Sequence, residues 1–140
     1  MRWQKNGYEL DDDRARLDME QISIWLRGTY WAEKRSHKDV LRSWAGAAVP
    51  FGLYGPEGMA GCARVISDFV TTSYLADVFI VREHRGRGLG LWMMECILAH
   101  PDLRTTKWLL HTRDAHGLYR KVGFDNPTSR VLERPATDQM

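Results

Sequence analysis

The sequence predicts an α/β (α+β) domain built on a mixed, mainly antiparallel sheet flanked by helices. Three observations carry this. Tyr74 to Val81 form a β-branched and aromatic run whose only charge is Asp77, which suits a strand buried on both faces. A basic, glycine-rich turn follows, and then residues 89 to 98 are apolar nearly all round, as in a largely buried helix. Before this stretch lies a two-strand hairpin, and after it Lys107 to Thr112 supply another strand. A strand, helix, strand order of this length requires a right-handed crossover and parallel pairing, whereas the strands upstream run antiparallel.

Length and composition bound the rest. At 140 residues the chain is expected to be a single domain over residues 1–140, large enough to bury a core without metal or disulfide staples. Its 44% hydrophobic and 27% charged residues match an ordinary soluble protein. No apolar run reaches the roughly 18 residues of a membrane span, and MRWQKNGYELDDD lacks a signal-peptide core. A cytoplasmic location with no membrane partner is therefore expected. Cys62 and Cys96 read as small core residues in a reducing compartment. No His and Cys cluster has ligand spacing, so no metal is expected. A net charge of +2, with basic residues gathered at one turn, argues against a nucleic-acid partner.

The elements follow in chain order. Residues 8 to 12 read as a short first strand. Asp18 is the N-cap of a helix reaching Leu26 and ended by Gly28. An aromatic-rich connection, Thr29 to Arg35, leads to an amphipathic helix over Lys38 to Ala47. Val49 to Tyr54 and Met59 to Ser67 form the hairpin about a turn at Gly55 to Gly58. Arg64, polar in an apolar run, either enters a cleft or faces solvent. Asp68 to Thr72 turn the chain into the central strand. Pro101 stops the long helix, because the residue before a proline is steered out of helical geometry. Asp114 to Val122 form a last helix with Gly123 as left-handed cap and Phe124 packing back. Gly117 costs that helix about 1 kcal/mol relative to alanine, which the close approach of another group would explain. Residues 130 to 134 offer a final strand, followed by a loose tail.

The turn between central strand and long helix carries the chemistry. Gly86, Gly88 and Gly90 alternate with Arg85, Arg87 and Leu89. Glycines permit positive φ and close backbone approach, and the amides of such a turn, with the free N–H groups of a helix start, bind phosphate or pyrophosphate. Arg82, Arg85 and Arg87 add mobile positive charge. No lysine follows the glycines as a P-loop requires, and the dinucleotide spacing with its distant acid does not fit.

The turn matches R-x-x-G-x-G at Arg85, Gly88 and Gly90. A second pattern, A-x-x-L-Y-x-K-x-G-F, is met by Ala115, Leu118, Tyr119, Lys121, Gly123 and Phe124. In this order, over residues 73 to 124, the two resemble the acyl-CoA binding motif and the ending of the GNAT superfamily of N-acetyltransferases.

The resemblance implies a GNAT-like fold and transfer of an acetyl group from acetyl-CoA to a primary amine of a small-molecule or peptide acceptor. It implies a cofactor turn of Arg85, Gly86, Arg87, Gly88, Leu89 and Gly90, and a pantetheine slot at Phe79 and Ile80, where strands part. It makes Tyr119 the acid that protonates the leaving thiolate, against a core tyrosine with a bonded hydroxyl. It makes Tyr30, Trp31 and Arg35 candidate acceptor contacts, against core and rim residues of a Trp-rich protein; Arg64, by its place in the strand, is a further candidate if it enters the cleft. Thr112 stands where the family usually has an asparagine that touches cofactor. A homodimer is common in the family.

Asp77, alone inside an apolar strand, should have a raised pKa unless paired. It is a candidate base or substrate orienter, or else a structural carboxylate bonded to Arg64; His111 and His116 are reserves. Neither cysteine adjoins a base, which favours direct attack over an acyl-enzyme. Aromatics with Asp77 suit a cationic amine, whereas Arg35 and Arg64 suit a carboxylate-bearing one. A non-catalytic acyl-CoA sensor and a module for another nucleotide are the rival functions.

Overall fold

The computed structural model describes residues 1–127 and 130–137. Its centre is a six-stranded sheet in sequential order, β1 (Arg2–Lys5), β2 (Tyr8–Asp11), β3 (Val49–Gly55), β4 (Gly58–Ser67), β5 (Thr72–Ile80) and β6 (Lys107–Leu110). Every neighbouring pair is antiparallel except β5 and β6, which run parallel. The mixed sheet and the crossover are as the residue pattern demands.

The first strand has a partner the sequence reading lacks. β1 pairs with β2 through Asn6 and Gly7, both at positive φ, 51° and 83°. A two-residue Asn-Gly connection is the strongest short hairpin signal, because both residues tolerate the left-handed region that matches strand twist.

Helix α1 (Met19–Arg27) starts where the Asp18 carboxylate accepts from the Gln21 N–H, and α2 (His37–Ala45) where the Ser36 hydroxyl accepts from the Asp39 N–H. These bonds satisfy donors that a helix start leaves free. Ser36 places α2 one residue earlier than expected, and the helix ends two residues earlier. α3 (Leu89–Leu98) buries Leu89, Met93, Met94, Cys96 and Ile97, and α4 (His116–Arg120) buries Tyr119. The helices serve two apolar clusters. α3 and α4 pack with Leu10, Phe51, Leu53 and Val65, whereas α1 and α2 gather Ile22, Leu26, Val40 and Trp44 around Cys62. Each fully buried side chain of this size contributes about 1.5–3 kcal/mol.

Three expectations need correcting. β5 buries Ser73, Leu75 and Asp77, but the residues between them are only half-buried, so the strand is not covered on both faces. A cleft opens along it. Residues 130 to 134 form no strand, because Val131 and Leu132 are adjacent instead of alternating and both lie exposed, leaving no apolar face to bury. A Cβ on Gly117 would meet nothing within 4 Å among the described residues, so of the two groups expected to approach it, backbone or ligand, the backbone does not. Gly123 does cap α4, at φ 96°, and the Phe124 ring returns to Tyr119 with centroids 5.9 Å apart. The expected loose tail falls partly on residues 138 to 140, outside those described.

Candidate functional site

The glycine turn is built as an anion cradle. Arg82–His84 form a single 3₁₀ turn after β5, and then Gly86 and Gly88 adopt φ of 79° and 76°. Gly88 caps α3 in the left-handed region, and no side chain caps that helix. Among the described residues the amides of Gly86, Arg87 and Gly88 have no hydrogen-bond partner. With the free N–H groups of the first turn of α3 they make a run of unsatisfied donors at a positive dipole end. A Cβ on Gly86 or Gly88 would meet nothing within 4 Å, so the space before them is open. Gly90 differs from the alternation's expectation. It is helical, and a Cβ there would come to 3.4 Å from Leu118 and 3.8 Å from Ile80.

Two of the three arginines of the turn are bonded to the protein itself. Arg85 donates from Nε to the Ile80 carbonyl at 2.8 Å, and Arg87 from Nη1 to the Tyr8 hydroxyl at 2.8 Å and from Nη2 to the Glu83 carbonyl at 3.3 Å. Tyr8 also meets His84 Nδ1 at 2.6 Å. Tyr8 and His84 thus brace the turn, a role no local motif reveals because 76 residues separate them.

Beside the turn the sheet splits. β5 pairs with β6 only from Thr72↔Lys107 to Leu75↔Leu110, so residues 76 to 80 of β5 have no partner on that edge. This ends β6 at Leu110, two residues before the expected Thr112. The Val81 N–H bonds the Ala60 carbonyl of β4, so by alternation the Phe79 N–H also turns toward β4 and the Ile80 N–H toward the gap. The Phe79 ring stacks on Trp25 at 5.4 Å, packing with the α1 cluster.

Past the split lies a cleft of about 570 Å³, lined by Tyr30, Trp31, Arg35, Arg64, Asp77 and Tyr119 with Thr112. Every residue named as catalytic or acceptor-binding from sequence converges here. Asp77 is its hub. β5 carries one extra residue between the pairs Cys62↔Phe79 and Arg64↔Ala76, and at this bulge Asp77 has φ 55°. Aspartate tolerates that region better than most residues. Its Oδ2 accepts from Arg64 Nε at 2.6 Å, Arg35 Nη1 at 2.9 Å and Trp44 Nε1 at 3.3 Å, and its Oδ1 from Trp31 Nε1 at 3.0 Å. Burial pushes its carboxyl up, but the Arg64 charge and the bonds from Arg64 and Arg35 outweigh it and hold the group below the ordinary carboxylate value. The expected rise is absent because the group is paired. A carboxylate has about two lone-pair sites on each oxygen, so three donors crowd Oδ2 while Oδ1 keeps one site that these bonds do not use.

Tyr119 is buried against the cleft, and among the described residues its hydroxyl has no hydrogen-bond partner. Burial pushes its pKa up to about 12, with Tyr30 and Asp114 adding to the effect. The hydroxyl is therefore a proton donor at neutral pH. Thr112 accepts the Ala115 N–H at 3.0 Å, which holds the strand end against α4 and delays that helix to His116. His111 lines the cleft, and its ring meets the Tyr74 hydroxyl and, at 2.6 Å, Glu133; the site of His116 is on α4, outside the cleft lining. Neither Cys62 nor Cys96 lines the cleft, and both are buried. Trp44 and Arg113 were not picked out from sequence. Trp44 reads as an apolar face residue of α2, and only the fold shows its indole N–H reaching Asp77. Among the described residues no cluster of His, Cys, Asp or Glu is arranged to hold a metal ion.

Comparison with known proteins agrees with this geometry. Residues 47–126 match the model of the acetyltransferase (GNAT) domain. A candidate acetyltransferase of Gibberella zeae is 31% identical over 87% of this chain and 81% of its own. The crystal structure of a candidate GNAT-family acetyltransferase from Xanthomonas campestris pv. campestris superposes with a TM-score of 0.88 at 36% identity, covering 95% of this chain and 96% of that one. A candidate acetyltransferase from Clostridium acetobutylicum, solved with acetyl-CoA, shares the fold at a TM-score of 0.68 and 17% identity, over 91% and 94% of the two chains. With the domain model covering more than half its length, the chain belongs to the GNAT acetyltransferases.

Proposed function

We propose that the protein is an N-acetyltransferase that takes its acetyl group from acetyl-CoA and passes it to a primary amine by direct attack. One observation carries this reading: the split between β5 and β6 runs from the amide-lined turn at one end to a cleft holding Tyr119 at the other. That is the shape a long thioester cofactor requires, with its diphosphate gripped at one end and its acyl group exposed to an acceptor at the other. The cofactor would supply an activated acetyl thioester.

The chain's own residues do the rest. The amides of Gly86 to Gly88 and the start of α3 bind the diphosphate, with Arg85 and Arg87 fixing the turn in shape. The Ile80 N–H faces the gap, where it bonds the pantetheine arm or the thioester carbonyl; preorganised donors of this kind contribute typically about 3–4 kcal/mol to acyl transfer. Tyr119, which keeps its proton at neutral pH, donates it to the departing thiolate, whose conjugate thiol has a free pKa of about 8.5. The buried cysteines favour direct attack over an acyl-enzyme. Asp77, engaged by four N–H donors, orients Arg35, Arg64 and Trp31, and its lowered pKa makes it a poor base.

Calorimetric titration with CoA, desulfo-CoA and ATP, joined to a thiol-release assay with acetyl-CoA and a panel of amines, tests the proposal. Expected are clear affinity for CoA, weaker affinity for ATP, and amine-dependent thiol release. No affinity for CoA would overturn it.

A further inference from the structure

We propose that the acceptor is an amine that carries its own oxyanion, a carboxylate or a phosphate, seated on the guanidinium groups of Arg64 and Arg35. The inference rests on the acetyl-transfer reading and narrows it to a substrate class.

Two groups of the cleft floor that could attract a plain cationic amine are already engaged by the protein. The Asp77 carboxylate accepts four N–H groups and is paired with both Arg64 and Arg35, whose two charges more than offset its own and leave little attraction for an incoming ammonium. The Tyr30 ring, a second cation-attracting surface, has the Arg113 guanidinium 3.7 Å from its centroid, and its edge contact with Trp31 closes a further side.

The arginines, by contrast, are only partly used. Arg64 is 9% exposed and bonds Asp77 through Nε alone. Among the described residues its two terminal nitrogens have no partner, yet neither is sealed from solvent, so both open onto the cleft. Arg35 gives Asp77 only Nη1. Two guanidinium charges face one carboxylate, which leaves the cleft floor with an uncompensated positive charge and a planar pair of donors. Such a fork matches the two oxygens of a carboxylate or phosphate. Asp114, exposed at the rim beside Tyr119, is the unbonded carboxylate of the lining and favours the amine end of the acceptor there.

The test uses matched pairs with acetyl-CoA and the full chain: L-phenylalanine against phenethylamine, and O-phosphoethanolamine against ethanolamine. The anionic member of at least one pair should have the higher kcat/KM, by on the order of 100-fold, as a desolvated charge pair provides. Which pair shows it tells carboxylate from phosphate. Arg35→Met should shrink that ratio about tenfold or more while the KM for acetyl-CoA stays put. Equal or faster turnover of the amines that lack an oxyanion would overturn the inference and leave acetyl transfer standing. A second readout is independent of turnover: N-acetyl-L-phenylalanine or N-acetyl-phosphoethanolamine should shift the Trp31 indole N–H resonance, and N-phenethylacetamide should not. Absence of any shift with both anions overturns the inference even if acetyl transfer is never detected.

Discussion

Arg87 donates from Nη1 to the hydroxyl of Tyr8 at 2.8 Å, tying the glycine turn to a strand 79 residues earlier in the chain. The same hydroxyl meets His84 Nδ1, so the 3₁₀ turn and the glycine turn share one anchor. Tyr8→Phe keeps the buried ring and removes the anchor. Loss of a hydrogen bond of about 1 kcal/mol should raise the Kd for CoA roughly fivefold. The melting temperature should move little and kcat at saturating acetyl-CoA not at all. Titration calorimetry decides it, and an unchanged Kd would mean that the turn keeps its shape without the hairpin.

Asp77→Asn tests the hub of the cleft. It leaves Arg64 and Arg35 facing each other without their counter-charge, and breaking a buried pair of this kind costs about 3–5 kcal/mol. The acid side follows by linkage. The folded carboxyl lies below its ordinary value, so its stabilisation is fully present above the ordinary carboxylate range and is lost as pH falls through the folded value. Lowered carboxyls at Glu9, Asp11 and Asp68 act in the same sense, but they are common to both proteins and cancel in the comparison. Melting temperatures measured from about pH 7 down to about pH 2 should therefore converge for wild type and variant as the acid limit is reached. A constant gap across that range would show that Asp77 is not ionised in the fold.

What could be read from the residues was whatever a short segment specifies by itself. The apolar run, the glycine turn and the apolar helix place the central strand, the cradle and the crossover, and Asp18 places a helix start. Tyr30, Trp31, Arg35 and Tyr119, which the family likeness offers as candidates, line one cleft, and so does Arg64, whose place in the strand leaves cleft and solvent equally open. What escaped depends on distance in the chain. The Tyr8 anchor and the Trp44 indole bond to Asp77 join segments with no local pattern in common. For Asp77 the residues leave the direction of the pKa conditional on pairing, because its sign turns on partners that only folding brings close. The Asn6–Gly7 hairpin is a different case, since its signal stood in the sequence and went unread.

The glycines of the two motifs should respond oppositely to alanine. Gly88 sits at φ 76°, so Gly88→Ala incurs roughly 1–2 kcal/mol of backbone strain and places a methyl in the space before the free amides. Affinity for CoA should fall by more than tenfold along with stability. Gly117 lies in α4 with nothing within 4 Å of a built Cβ, so Gly117→Ala should raise stability by about 0.5–1 kcal/mol. Thermal melts and CoA titrations of both variants check the pair. A destabilised Gly117→Ala would point to a close approach that arises only with a bound molecule.

Tyr119→Phe separates an enzyme from a domain that only binds acyl-CoA. The ring packs against Phe124 and stays in place in the variant, so cofactor affinity and fold should be kept. Only the hydroxyl is lost, and with it the proton for the leaving thiolate. General-acid contributions of this kind are typically about 100-fold or more, so kcat should fall by at least that factor while the Kd for CoA is unchanged. The pH dependence gives a second check. With burial pushing the Tyr119 hydroxyl up to about 12, it stays protonated through mildly alkaline conditions, and the wild-type kcat should show no decline on its account until pH nears that value. A variant that keeps full kcat would remove Tyr119 from the chemistry and return it to the core, with the thiolate leaving unassisted.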